Sequence, residues 1–345
     1  MIRAAVTEGV RHMALLQRPE PRAPGPGGVV VRPEAVGICG SDYHFFTGEL
    51  SSEAGGARFP RVQGHEIGAT ITALGPDCRP ELALGQRVAV WPLHACGRCY
   101  PCSVGRPNTC DNFQLIGIHI DGGLQELLST GQDQVFPIRT ENPAVAAMVE
   151  PLSIGVRAVN RARIESGEQV VVMGAGPIGQ CVCLAARERG ADLLVIDPQR
   201  QRLGLSTELG AETLVWTEPG EVVAAARSWA GPAGPPVVVD ATGVPAAVRA
   251  MVDMVASAGR AVQVGMSAEE VSLRIGSLTE KELDLLGVSC CGADEFAQAV
   301  DLAERHDALL ARLVSQEFSL EQAPAALRFA ISNPTEVMKV VIRGE

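Results

Sequence analysis

The chain of 345 residues is longer than one ordinary hydrophobic core organises, which predicts two domains. Its 46% hydrophobic and 20% charged residues place it among soluble globular proteins, and a formal charge of -11 with no basic cluster argues against a nucleic-acid partner. No apolar run reaches the roughly 18 residues of a membrane span and Met1–Val10 carries no basic leader, so the expected compartment is the cytoplasm, where the ten cysteines stand as thiols or metal ligands rather than disulfides.

In the first third, Val29–Arg32, Ile67–Ala73 and Arg87–Trp91 read as short strands of an irregular, β-rich domain broken by Gly, Pro and Asp. Among them lie Cys39-Gly40-Ser41-Asp42-Tyr43-His44 and Gly64-His65-Glu66. A catalytic zinc needs about three protein ligands and one open position. Cys39 and His65 can supply sulfur and nitrogen, and Glu66 or a more distant carboxylate can supply oxygen. Taken singly, a Cys is more often buried packing and a His a satisfied structural residue. The company they keep makes the metal the better reading.

Next comes Cys96-x2-Cys99-x2-Cys102-x7-Cys110, four thiols within fifteen residues. Such spacing converges four sulfurs on one tetrahedral centre with no open position, the pattern of a structural zinc. Free loop thiols, or a redox-active cluster, are the competing readings.

From about Ile154 apolar strands alternate with helices. Gln169–Met173, Leu193–Asp197, Val237–Asp240 and Ala261–Val264 are the strands; Ile178–Arg189, Arg200–Leu209 and Ala246–Val255 have helical periodicity, and Gly231–Pro236 is a loop. This alternation predicts a parallel sheet with helices on both faces. Gly174-Ala175-Gly176-Pro177-Ile178-Gly179 follows the first strand and opens a helix, and the second strand ends in Asp197, eighteen residues after Gly179. That is a dinucleotide fingerprint: the glycines admit the pyrophosphate and the helix N-terminus meets it. Asp197 is suited to the ribose hydroxyls and would repel a 2′-phosphate, which favours NAD over NADP. Arg200 and Arg202, close behind, are the residues that could meet such a phosphate. A helix, Glu295–His306, and a strand, Val337–Ile342, close the chain.

Taken together, Gly37–Asp42, Gly64-His65-Glu66, the Cys96–Cys110 lobe, Glu150-Pro151-Leu152-Ser153 and Gly174–Gly179 resemble, in that order, the zinc-containing medium-chain alcohol dehydrogenase family over the whole length. Glu150-Pro151-Leu152 is similar to its polyol and threonine dehydrogenase branch, and Gly117–Gly123 to bacterial sugar-acid and polyol dehydrogenases. The resemblance implies an α/β protein. A GroES-like β-rich catalytic domain would comprise 1–153 and 290–345, and a Rossmann doubly wound coenzyme domain 154–289, with zinc and nicotinamide meeting in the cleft. It implies Cys39 and His65 as zinc ligands, and Glu66 and Glu150 near the metal, one as ligand and the other holding or replacing the water. Asp42 would orient His65, Ser41 would bond the substrate hydroxyl, and His44 would lie on a proton path outward. The cofactors are catalytic and structural zinc and NAD, with Gly174, Gly176, Pro177, Ile178, Gly179, Asp197 and Arg202 at the coenzyme. The implied assembly is a homodimer or homotetramer built through the coenzyme domains.

The implied activity is oxidation of a secondary alcohol on a polyol, sugar acid or cyclitol. Phe45 stands where sorbitol dehydrogenases carry a substrate-touching Tyr, which counts against sorbitol itself. A threonine-type amino-acid dehydrogenase is the alternative enzyme. A non-catalytic NAD-binding redox sensor would be expected to lack Cys39, His65 or Glu150, and all three are present. Glu150 also precedes Pro151, so a helix N-cap is its plainer reading.

Overall fold

The computed structural model describes residues 1–49 and 58–344. The chain divides into two compact units, Met1–Glu150 with Gly292–Glu345, and Pro151–Cys291.

The first unit is built on sheets that are antiparallel except where Val314–Ser319 runs parallel to Lys339–Arg343. Its larger sheet runs Val135–Pro137, Arg87–Val90, Glu66–Leu74, Gly28–Gly37, Lys339–Arg343 and Val314–Ser319, with Leu128–Gly131 also paired to Gly28–Gly37. A smaller sheet places Ile2–Gly9 between His12–Arg18 and Arg61–Val62. Val31, Val36, Ile67, Ile71, Val88, Leu124, Val340 and Ile342 form its core. The register matters for the site. Gly37 lies opposite both Glu66 and Val341, on two antiparallel neighbours of one central strand. The end of Gly28–Gly37 and the starts of Glu66–Leu74 and Lys339–Arg343 therefore fall at the same edge.

The second unit is a six-stranded, wholly parallel sheet ordered Glu212–Val215, Asp192–Asp197, Gln169–Met173, Val237–Asp240, Arg260–Gln263, Asp284–Gly287. In chain order this is 3-2-1-4-5-6, the dinucleotide-binding arrangement, whose ligand crevice lies where the order reverses. The central strands, Val170–Met173 and Val237–Asp240, are buried throughout, as a sheet covered on both faces requires. Among the described residues no helix is long and apolar enough to cross a membrane.

The helices at Pro177–Glu188, Pro245–Met254 and Ala293–Arg305 and the closing strand at Lys339–Arg343 end within one or two residues of the sequence expectation, whereas the strand expected at Val29–Arg32 runs on to Gly37. Several elements escaped it. Glu212–Val215, Asp284–Gly287 and Val314–Ser319 lie at sheet edges and are largely exposed or half-buried, so they carry no apolar run to be read.

Candidate functional site

The shared strand edge gathers the reactive side chains of the first unit. Cys39 follows Gly28–Gly37 and precedes the helix Gly40–Thr47; Glu66 opens the neighbouring strand and His65 immediately precedes it. One ligand atom from each of Cys39, His65 and Glu66 lies within 4.8 Å of the others. His65 is 3% exposed and Glu66 fully buried. The Glu66 carboxylate lies over Gly37, where a Cβ would meet Oε2 at 2.0 Å, so only glycine admits it.

Two acidic partners and one base complete the cluster. Asp42, fully buried, accepts from Cys39 N at 2.9 Å and from Gly64 N at 3.3 Å, and its Oδ2 lies 3.8 Å from His65 Nδ1. His65 Nδ1 is buried with no hydrogen-bond partner. Lys339, 4% exposed, donates to Glu66 Oε1 at 2.6 Å and Oε2 at 2.8 Å and to Ile38 O at 3.3 Å. Sequence reading missed it. Its signal was a lone Lys at the head of the apolar run Val340-Val341-Ile342, a charge that burial obliges to find a partner.

Glu150 lies in the first turn of the helix Val149–Ala162 and is buried. It is inside the helix rather than capping it, because helical structure already begins at Val149. It is not part of the 4.8 Å group. Burial pushes its carboxyl up to about 7, with Glu66 and Asp42 adding to the rise and His65 and Lys339 opposing it. Burial works against a charged His65, yet Asp42, Cys39 and Glu150 outweigh it and hold the imidazole well above its usual value. A thiol and three buried carboxylates thus share Lys339 and one imidazole. The surplus negative charge fits a divalent cation, which would reverse the penalty on Glu150.

Ser41 and His44 stand three residues apart on the helix Gly40–Thr47, hence on one face. Among the described residues the half-buried Ser41 hydroxyl has no hydrogen-bond partner. His44 is exposed, its Nδ1 2.5 Å from Glu49 Oε2; Thr47 Oγ1 donates to the other carboxylate oxygen at 2.9 Å. Phe45 is fully buried against Phe59, ring centroids 4.8 Å apart, and Ile118.

The sulfurs of Cys96, Cys99, Cys102 and Cys110 also converge within 4.8 Å. Cys99 Sγ is 3.4 Å from Cys102 Sγ and 3.7 Å from Cys110 Sγ. A disulfide needs about 2.05 Å. Four sulfurs about 2.3 Å from a zinc stand about 3.8 Å apart, which these separations approach. Backbone N–H groups of Arg98 and Cys99 pull the Cys96 thiol down to about 6, whereas burial and the neighbouring thiols push Cys102 up to about 12. Four sulfurs this close ionise together only around a cation.

In the second unit, Gly174–Gly176 links strand Gln169–Met173 to helix Pro177–Glu188, with Gly176 at the N-cap, Pro177 first in the helix and Ile178 half-buried behind it. Gly174 has φ +95°, and a Cβ at Gly179 would meet Gly174 O at 1.8 Å. Asp197, 4% exposed, accepts from Ala175 N and Gln199 N, both at 2.7 Å, so its carboxylate also clamps the glycine loop. Arg202 Nη1 lies 4.0 Å from where a side chain at Gly176 would begin. Gln180, unremarked in the sequence, is buried and donates to Ala175 O and Arg202 O, tying loop to helix Arg200–Glu208.

The domain family "Alcohol dehydrogenase GroES-like domain" matches residues 25–140, and "Zinc-binding dehydrogenase" matches 177–305. The L-galactonate-5-dehydrogenase of Escherichia coli K12 is 32% identical over 322 residues, 92% of each chain. A zinc-binding dehydrogenase of Sinorhizobium meliloti 1021, solved with NADP, is 31% identical with TM-score 0.87, covering 100% of this chain and 99% of that one. The alcohol dehydrogenase RspB of E. coli CFT073, solved with NADH, is 27% identical with TM-score 0.88 and covers 99% of both chains.

Proposed function

The chain belongs to the zinc-binding alcohol dehydrogenase family, and from that premise we propose that it oxidises a secondary alcohol of a polyol, sugar acid or cyclitol to the ketone, with NAD as acceptor. The observation that carries this is the closing of Cys39, His65 and Glu66 to within 4.8 Å at a buried strand edge, in a chain whose second unit has the dinucleotide-binding strand order. The L-galactonate-5-dehydrogenase relative supports a sugar-acid substrate class.

Cys39 and His65 hold the catalytic zinc in this reading, with one of Glu66 and Glu150 as third ligand and the other beside it: Glu66 lies in the converged group but is engaged by Lys339, which favours Glu150; Cys96, Cys99, Cys102 and Cys110 hold the structural one. When bound, zinc supplies a Lewis acid that lowers the pKa of the substrate hydroxyl, and NAD supplies the hydride acceptor. Asp42 orients His65. Ser41 accepts the proton of the substrate hydroxyl as it gives up its own hydroxyl proton outward. His44 passes that proton to solvent: its Nδ1–H donates a hydrogen bond to Glu49, which leaves Nε2 to take the proton up and release it. Phe45, buried and without a hydroxyl, offers a polyol nothing, which counts against sorbitol. A panel of polyols, sugar acids, aminocyclitols and β-hydroxy amino acids, followed by NADH absorbance, tests the reading. Turnover confined to the amino acids replaces it with the threonine-type activity, and no turnover on any of them points to a non-catalytic NAD-binding protein.

Gly174, Gly176, Pro177, Ile178 and Gly179 receive the coenzyme pyrophosphate with Arg202 alongside, and Asp197 receives the adenosine ribose. Asp197→Ala is expected to weaken NAD binding by roughly 1.5–3 kcal/mol, about 10- to 150-fold, since ribose acceptor and loop clamp go together. Asp197→Asn keeps an acceptor and loses the charge, so it relaxes discrimination against NADP more than it weakens NAD. Titrating both coenzymes separates the effects, and unchanged affinities in Asp197→Ala would remove Asp197 from the ribose.

We place the protein in the cytoplasm, where ten cysteines with no disulfide among them suit a reducing compartment. A homodimer is proposed through the outer edge of strand Asp284–Gly287, where Leu285 is 43% exposed in a unit that also exposes Ile275 (68%) and Met266 (75%); a tetramer would pair two such dimers. Light scattering at micromolar concentration should give at least twice the mass of one chain. A single-chain mass would dismiss the interface.

A further inference from the structure

Behind Asp42 runs a buried polar chain that no expected role explains. Thr7 and Gln63 are both fully buried. Strand Ile2–Gly9 pairs Val6 with Val62 and Thr7 with Arg61, and so delivers Gln63 beside the threonine. Gln63 Nε2 donates to Asp42 O at 2.9 Å and to Asp42 Oδ1 at 3.2 Å. Both are acceptors, so the amide must turn its NH2 toward Asp42 and its Oε1 toward Thr7. Thr7 Oγ1 is then the donor to Oε1, at 2.5 Å. Every bond in the chain points one way, from the outer hairpin to the carboxylate that faces His65.

We infer that the Thr7–Gln63 pair is a positioning device for the catalytic metal: it fixes the rotamer of Asp42 so that Oδ2 is presented to His65 Nδ1 and the other ring nitrogen is left for zinc. Without Gln63, Asp42 Oδ1 keeps only Gly64 N, at 3.3 Å, while Oδ2 stays tethered to Cys39 N. The carboxylate could then rotate about that single short bond, and His65 would lose its orienting partner. A partner one shell behind a metal ligand typically sets affinity by about 10- to 100-fold. The inference rests on the reading of Cys39 and His65 as zinc ligands. A purely structural role, filling a buried polar gap, would instead lower the melting temperature and leave metal affinity alone.

The two cases separate by chelator competition on the purified holoprotein, because the four-cysteine zinc is an internal control. Gln63→Leu is expected to weaken the zinc at Cys39 and His65 by about 10- to 100-fold, with the four-cysteine zinc and NAD binding unchanged. Thr7→Val, nearly isosteric, should shift the same zinc in the same direction by less. The double variant should be no weaker than Gln63→Leu, since the threonine acts only through the amide. Parental affinity in Gln63→Leu overturns the inference, whatever the melting temperature does. If Gln63→Leu does not fold, parental affinity in Thr7→Val overturns it. A parent protein that binds only the four-cysteine zinc would defeat the ligand reading of Cys39 and His65 itself. A parent that binds both, with neither disturbed by the variants, would defeat only the positioning role.

Discussion

Replacing Cys39 or His65 by alanine is expected to lower turnover by at least about 10³-fold, because the Lewis-acid contribution of a catalytic metal is worth several kcal/mol of the barrier. NAD affinity should stay within a few tenths of a kcal/mol of the parent, since the glycine loop and Asp197 belong to the second unit, Pro151–Cys291. The parent should carry about two zinc ions per chain and each variant about one. Cys99→Ala should behave the other way round. Its sulfur sits 3.4 and 3.7 Å from two others in a lobe held by backbone turns, so losing it costs folding energy before turnover. Metal analysis, NAD titration and thermal denaturation on the three variants check the division of labour. If Cys99→Ala lost turnover at parental stability while His65→Ala kept it, the two metal assignments would have to be exchanged.

That experiment probes a site whose parts were unequally visible in the sequence. The four-cysteine spacing and the strand–Gly174–Gly179–helix unit are local, so periodicity and spacing exposed them; the four sulfurs lie within 4.8 Å of one another and Gly176 caps the helix that follows the loop. The central strands of the parallel sheet were legible because burial on both faces makes them continuous apolar runs. Its edge strands were not, because Glu212–Val215 and Asp284–Gly287 face solvent and carry mixed chemistry. Glu66 and Lys339 are 273 positions apart and meet only because their strands flank Gly28–Gly37. Pairing of that kind follows from sheet register, which no local pattern encodes. Gln63 carried no signal at all: a glutamine before Gly64-His65 has meaning only once Asp42 and Thr7 are folded against it.

Glu150→Gln is expected to lower turnover by about 10²-fold at nearly unchanged stability of the zinc-loaded protein, because a misplaced reacting atom costs about that much. Charge alone argues the opposite way: a metal that feels one carboxylate less should ionise its ligand more readily. Orientation prevails if the carboxylate is a direct ligand. The zinc-free protein supplies an independent reading with a definite sign. Burial raises the folded-state carboxyl of Glu150 to about 7, above its unfolded value of about 4.3. A raised acid favours the protonated form on folding, so its contribution is complete below the unfolded value and is lost as pH rises through 7. Zinc-stripped parent should therefore lose stability between about pH 4.3 and 7, and Glu150→Gln, which cannot ionise, should lose less over the same window. Bound zinc removes that difference in the parent by supplying the missing positive charge. A purely helical role would look different: an acidic residue in the first turn of Val149–Ala162 contributes about 0.3–1 kcal/mol through the helix dipole, and its loss would leave turnover and zinc affinity alone. Glu66→Gln completes the comparison. Lys339 already occupies both Glu66 oxygens, so this variant should leave the zinc in place and disturb Lys339 instead. Loss of the catalytic zinc in Glu66→Gln, with Glu150→Gln fully active, would transfer the third ligand from the helix to the strand.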